Sequence, residues 1–161
     1  MTIKRFFIDS PTNDLAWQKF QSILYTKGLD HAVVSPGLIN FLRYCKLNKI
    51  EVYIVSHKTE STPKEFGNVD LRSPALKWLK AQEIVPGLIY LKNVLFCESR
   101  DMKIDLINKI NCDIFVDDLE EILSDNDLNT NIKKILFSRD LKKDSISSFE
   151  SLIKVLQKNE F

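Results

Sequence analysis

The chain has 161 residues, which is enough for one domain with a buried core. Hydrophobic residues make up 44%, charged residues 28%, and the formal net charge is +1, all ordinary values for a soluble globular protein. Because the net charge is near zero and the lysines are dispersed, we expect neither a basic groove for nucleic acid nor binding to an anionic membrane. No apolar run approaches the ~20 residues that cross a bilayer, and the N-terminus has no signal-peptide pattern.

The first elements are predicted from strand formers, turn residues and helical spacing. Ile3 to Ile8 fits a short first strand, although the same residues also fit a helix. The polar residues 10–14 predict a turn, and Leu15 to Thr26 predicts an amphipathic helix that ends at Gly28.

The next segment predicts a helix, a strand and a long loop. Pro36 lies near the first turn of the predicted helix, with Ser35 as its cap. A strand is predicted over Glu51 to Val55. The polar residues 56–71 then form a loop, and loops of this length inside a compact domain are often functional. A further helix begins at Ser73-Pro74.

The second half of the chain alternates strands with helices. Strands are predicted at 94–97, 113–116 and 134–137, with a helix at 101–110. Ser147 and Glu150 predict a capping box before the final helix. This alternation predicts an α/β domain with a mostly parallel sheet and helices on both of its faces.

Polar residues follow the apolar strands at their predicted ends. Asp9 follows the first strand, Ser56 the second, and the pair Asp117-Asp118 the strand at 113–116. Lys103 lies on the helix before that last strand. Ligands of open parallel sheets bind beyond the carboxyl ends of the strands, so we expect these side chains to converge. A hydroxyl, an ammonium and carboxylates together can hold a phosphate beside a divalent metal.

Three cysteines bear on the cellular compartment. Cys45, Cys97 and Cys112 are odd in number, widely spaced and set in apolar segments. This pattern predicts buried, reduced thiols and a cytoplasmic location, with neither a disulfide nor a zinc site.

The ordered set of Asp9, Ser56, Lys103 and Asp117-Asp118 resembles the four motifs of the haloacid dehalogenase-like (HAD) hydrolase superfamily. The run Ile-Val-Ser-His-Lys-Thr at 54–59 is similar to small bacterial members. The resemblance covers roughly residues 15 to 140 by motif spacing. It implies a three-layer, Rossmann-like HAD fold with a minimal cap, formed by residues 1–161 as a single domain.

The resemblance also implies an activity, a cofactor and residue roles. The chain would be a magnesium-dependent phosphomonoester hydrolase that acts on a small phosphorylated substrate. Asp9 would be nucleophile and metal ligand, Ser56 and Lys103 would hold the phosphate, and Asp117 and Asp118 would bind Mg²⁺.

Two features depart from the family pattern. The first motif should read Asp-x-Asp, but Pro11 stands at the general-acid position and cannot transfer a proton. Only a few residues separate this motif from the segment Ala16 to Tyr25, where the similar proteins have some tens. We therefore expect either that a piece near the N-terminus has been lost or that the first motif lies upstream of Met1.

Several alternatives stay open. Asp9 is equally suited to cap the following helix, and Asp117-Asp118 also suits a helix N-terminus. His57 and Lys58 are further candidate substrate contacts, although a loop histidine is more often simply exposed. The alternative function is a catalytically inactive HAD-like module that binds a phospho-ligand or a partner. A nucleotide-binding Rossmann enzyme is disfavoured, because the four glycines form no Gly-rich phosphate loop.

Overall fold

The fold is α/β, with short parallel sheets and helices between the strands. The computed structural model describes residues 19–20, 22–24, 28–138 and 145–158. The predicted α/β class and the parallel strand direction are confirmed. The predicted strand from Ile3 to Ile8, with Asp9 at its end, lies outside the described residues. The predicted helix from Leu15 to Thr26 is described only in part, and residues 19–20 and 22–23 of it are helical.

The described strands form two parallel sheets. The strands are β1 (Ile54–His57), β2 (Val94–Cys97), β3 (Ile114–Asp117), β4 (Lys133–Phe137) and β5 (Ser145–Ile146). β1 pairs with β2, and the second sheet has the order β3-β4-β5. Ser56 lies opposite Phe96, and Asp117 lies opposite Leu136. Within the described part of the chain, β1 and β3 are each paired along a single edge.

Helices connect the strands, as parallel pairing requires. They are α1 (Leu38–Leu47), α2 (Arg72–Ala81), α3 (Arg100–Ile110), α4 (Glu120–Leu123) and α5 (Phe149–Gln157), with 3-10 turns at Leu29–His31, Lys64–Phe66 and Leu91–Asn93. The chain passes from β1 through α2 to β2, and from β2 through α3 to β3. These two crossovers bring the carboxyl ends of the strands to the starts of α2 and α3.

Local backbone geometry corrects several predicted helix ends. α1 begins after Gly37, whose φ of 79° is left-handed, and the side chain of Ser35 does not cap it. The cap of α5 is Ser148, because its extended backbone lets Oγ accept from the N–H of Ser151; Ser147 was the wrong residue. Gly28 has φ −76°, in the right-handed helical region, and directly precedes the 3-10 turn Leu29–His31. The helix that was predicted to end at Gly28 lies partly outside the described residues, which omit 25–27.

Two strands begin later in the chain than predicted. The strand predicted at Glu51 to Val55 occupies Ile54–His57, and the one predicted at 113–116 occupies Ile114–Asp117. Apolar composition locates a strand, but its ends depend on which residues pair with the neighbouring strand. Ser56 and Asp117 therefore lie in the paired, C-terminal parts of β1 and β3, and the loop after β1 begins at Lys58.

The core consists of two apolar clusters on either side of β1. The first contains Ile104, Ile107, Phe115, Ile122, Leu128 and Ile132, and the second contains Leu42, Ile84, Val85 and Ile89. Val55 packs against the first cluster and Ile54 against the second. Because successive strand residues point to opposite faces, β1 is covered by apolar side chains on both faces.

The cysteines are thiols, as predicted. Cys45 and Cys97 are buried and Cys112 is half-buried. Among the described helices, none is both long and apolar enough to cross a bilayer.

Candidate functional site

The carboxyl ends of β1 and β3 carry predicted site residues. Ser56 and His57 are the last two residues of β1, and Asp117 is the last residue of β3. Cys97 ends β2, opposite His57 in the strand register. α3 packs against both β1 and β2, so its first turn lies near these strand ends.

Lys103 and Asp117 form a buried ion pair. Nζ of Lys103 lies 2.5 Å from Oδ2 of Asp117, and the two side chains are only 10% and 8% exposed. Asp117 Oδ1 also accepts a hydrogen bond from the N–H of Leu119 at 3.0 Å. The ammonium lies 5.6 Å from the centre of the Phe115 ring, within cation–π range. Both charged groups are therefore held in place by several contacts.

The first turn of α3 places Lys103 at this position. Ser99 has an extended backbone, and its side chain accepts from the N–H of Met102 at 3.1 Å. This cap starts the helix at Arg100, so Lys103 follows about one turn later. Arg100 anchors the same end of the helix to the next loop, with Nη2 at 2.8 Å from Oδ2 of Asp125.

Lys58 is buried where the loop leaves β1. The residue is 8% exposed, and burial lowers the pKa of its ammonium to about 8. Its backbone N–H donates to the carbonyl of Cys97 at 2.9 Å, which joins the end of β1 to the end of β2. The sequence interpretation placed His57 and Lys58 in a polar loop as candidate substrate contacts. His57 is instead the last residue of β1; it is exposed, as a histidine at this position was expected to be, and its Nε2 lies 3.2 Å from the carbonyl of Glu98.

Arg72 is a site residue that the sequence interpretation missed. Its Nε donates to the carbonyl of Lys58 at 3.0 Å, and its Nη2 contacts the carboxylate of Glu98. The charges of Arg72 and Lys103 both reach the thiol of Cys97, where they partly offset the rise in pKa that burial causes. No motif signals Arg72 in the sequence, because its partners lie 14 and 26 residues away along the chain.

The structure brings together only part of the predicted constellation. Lys103 and Asp117 are in direct contact, and Asp118 beside them is exposed. Ser56 is half-buried on β1, and the hydrogen bonds of the described residues do not join its hydroxyl to Lys103 or Asp117. Asp9 lies outside the described residues, so its predicted place beside them is not part of the described geometry.

The carboxylate oxygens of Asp117 and Asp118 are of the type that binds a hard cation. Mg²⁺ prefers oxygen ligands, and sites with one or two carboxylates completed by water are common. Each oxygen of Asp117 already accepts one hydrogen bond, and a carboxylate has about four acceptor positions, so capacity remains. Asp118 offers a second, exposed carboxylate. Across the ranges that the structure describes, no three potential ligands from His, Cys, Asp and Glu are grouped together.

Comparison of the chain with protein-family models, with curated proteins and with solved structures gave no match.

Proposed function

We propose that this chain has a three-layer, Rossmann-like HAD fold with a minimal cap and acts as a magnesium-dependent phosphomonoester hydrolase. The observation that carries the proposal is the buried contact of Lys103 with Asp117 at the carboxyl end of β3. The sequence motifs predict that both residues belong to one site. The cover of apolar side chains on both faces of β1 supports a sheet between two helical layers.

Lys103 would bind the phosphoryl group as a point charge. An ammonium held in a partly dehydrated setting interacts more strongly with an anion than one in bulk water. Ser56 would donate its hydroxyl to a phosphate oxygen, and His57 and Lys58 lie next to it for further substrate contacts. The charges of Arg72 and Lys103 both reach the end of β2, where Arg72 is paired with Glu98 and Lys103 with Asp117.

Asp9 would supply the nucleophile. Its carboxylate would attack phosphorus, the bond from phosphorus to the leaving oxygen would break, and an aspartyl-phosphate would form. The leaving oxygen would take its proton from water, because Pro11 has none to give. Attack of water would then release inorganic phosphate and restore the carboxylate. The missing general acid should cost about 10²–10⁴-fold in rate.

Asp117 and Asp118, with Asp9, would hold Mg²⁺. When bound, the ion supplies positive charge that lowers the repulsion between a carboxylate nucleophile and the phosphate. Asp117 then has two tasks, because it also keeps Lys103 in its position.

The second candidate is an inactive HAD-like module that binds a phospho-ligand or a partner. Pro11 is the observation that favours it, since a phosphatase that has lost its acid retains its binding groups. The two candidates share a phosphate site and differ in turnover.

The test measures release of phosphate from an aryl phosphate with and without Mg²⁺. The variants are Asp9→Asn and Lys103→Met, and the control is Lys109→Met, an exposed lysine on the same helix. A hydrolase requires Mg²⁺, loses turnover in both site variants and keeps it in the control. Binding of inorganic phosphate without turnover indicates the inactive module. Activity that Asp9→Asn leaves intact excludes Asp9 as the nucleophile, and failure to bind phosphate at all refutes both candidates.

A further inference from the structure

Arg72 joins three parts of the chain at the rim of the site. It is the first residue of α2, its Nε donates to the carbonyl of Lys58 at 3.0 Å, and its Nη2 pairs with Glu98 beyond β2. The guanidinium also lies 5.8 Å from the centre of the Phe96 ring. A planar guanidinium can make these contacts at one time, whereas a lysine ammonium is a single point of charge.

Both backbone groups of Lys58, the N–H and the carbonyl, form hydrogen bonds. Its N–H donates to the carbonyl of Cys97 at 2.9 Å, and its own carbonyl accepts from Arg72. The residue is 8% exposed although it begins a polar loop. A buried ammonium loses solvation, so backbone bonds that fix the position of Lys58 oppose the outward turn of its side chain towards water.

Backbone pairing joins the two ends of the loop that follows Lys58. Ser61 and Asp70 form an antiparallel bridge, and the N–H of Leu71 donates to the carbonyl of Glu60 at 3.0 Å. Arg72 follows immediately, so its contact with Lys58 ties the end of the loop to its beginning. Loss of this contact would remove the bond on the carbonyl side of Lys58 and loosen the start of the loop.

We propose that Arg72 is a positioning residue that holds Lys58 at the carboxyl end of β1, where Lys58 binds the anionic group of the substrate. The proposal rests on the proposed function in that it assigns Lys58 to the phosphate site. Arg72 itself stays engaged with Glu98 and the backbone and does not touch the substrate. Its effect on binding passes through Lys58.

The first experiment follows the ammonium of Lys58 without any ligand. In protein labelled with ¹³C-lysine, the Lys58 signal is assigned by its loss in Lys58→Arg, and it titrates at about 8 in the wild type. In Arg72→Met and Arg72→Lys the titration moves up towards the ordinary lysine pKa of about 10.4, because the side chain gains water. Arg43→Met, which removes an exposed arginine on α1, leaves the titration unchanged. An unchanged Lys58 titration in a folded Arg72 variant overturns the proposal.

The second experiment measures affinity for inorganic phosphate. Arg72→Met and Lys58→Met should each weaken binding about tenfold, the effect of losing one charge-assisted hydrogen bond. The double variant should bind no more weakly than either single variant, since both changes remove the same contact. Additive losses would mean that Arg72 binds the anion directly, and they would overturn the positioning role. If wild-type protein binds no phosphate, the proposed function fails, and the Lys58 titration still decides whether Arg72 holds that residue.

Discussion

The buried pair of Lys103 and Asp117 makes a prediction about stability. Lys103→Met keeps most of the aliphatic length but leaves the carboxylate of Asp117, which is 8% exposed, without its cation. Removal of one partner from a buried pair costs about 3–5 kcal/mol. We expect the lower end, about 3 kcal/mol, because Asp117 keeps the N–H of Leu119 as a donor. Domains have only about 5–15 kcal/mol of unfolding free energy in total, so the loss is large.

The assay is urea unfolding at neutral pH, with the free energy of unfolding obtained by linear extrapolation. Lys103→Met and Asp117→Asn are measured singly and together. The double variant should lose about 2 kcal/mol less than the sum of the two, because the interaction can be broken only once. Lys109→Met on the exposed face of the same helix is the matched control and should change stability by less than about 0.5 kcal/mol.

Equal effects of Lys103→Met and Lys109→Met would refute a buried pair of Lys103 with Asp117. Additive losses in the double variant would refute it as well, because independent residues do not share a coupling free energy. Either result would mean that the two side chains are not paired in solution.

Three further predictions concern the helix caps, the thiols and the core. Asp70 accepts hydrogen bonds from the N–H groups of Arg72 and Ser73 at the start of α2. Its pKa is lowered chiefly by a hydrogen bond from the side chain of Ser73 and next by the bond from the Ser73 backbone. Asp70→Ala should therefore cost about 1 kcal/mol above the ordinary carboxyl pKa, and in urea unfolding the difference should vanish as the pH falls through the lowered pKa; a difference that persists in strong acid would contradict this cause. Burial raises the pKa of Cys45 to about 11. In mildly alkaline buffer, iodoacetamide should therefore label the half-buried Cys112 before Cys45, as followed by mass spectrometry. Earlier labelling of Cys45 would be inconsistent with the fold. Ile107→Ala in the first core cluster should cost about 2–5 kcal/mol in the same unfolding assay, whereas Leu47→Ala, at a position 83% exposed, should cost little; similar losses at both would place Ile107 outside the core.

Much of the fold could be predicted because its signals are local. The strand at Val94–Cys97 has the predicted bounds, and the helix predicted from Asp101 begins one residue earlier. Apolar spacing and capping residues act within a few positions of the chain, so the sequence displays them directly. The ends of β1 and β3 were less predictable, because strand ends depend on pairing with β2 and β4.

The candidate site was predictable only where a motif joined distant residues. Lys103 and Asp117 were predicted to share a site from their order and spacing, and their direct contact agrees with that. The burial of Lys58 and the reach of Arg72 to Glu98 had no such signal. A polar loop after a strand gives no indication that one of its lysines is enclosed.

The amino-acid sequence by itself determined the α/β class, the alternation of strands and helices, and the residue types available at the strand ends. Tertiary structure alone decided which of those side chains meet, which are enclosed, and that Arg72 bridges β1, β2 and α2. The physical reason is how far apart along the chain the interacting residues lie. Helix and strand patterns arise from neighbours along the chain, whereas ion pairing and burial depend on how separate elements pack in space.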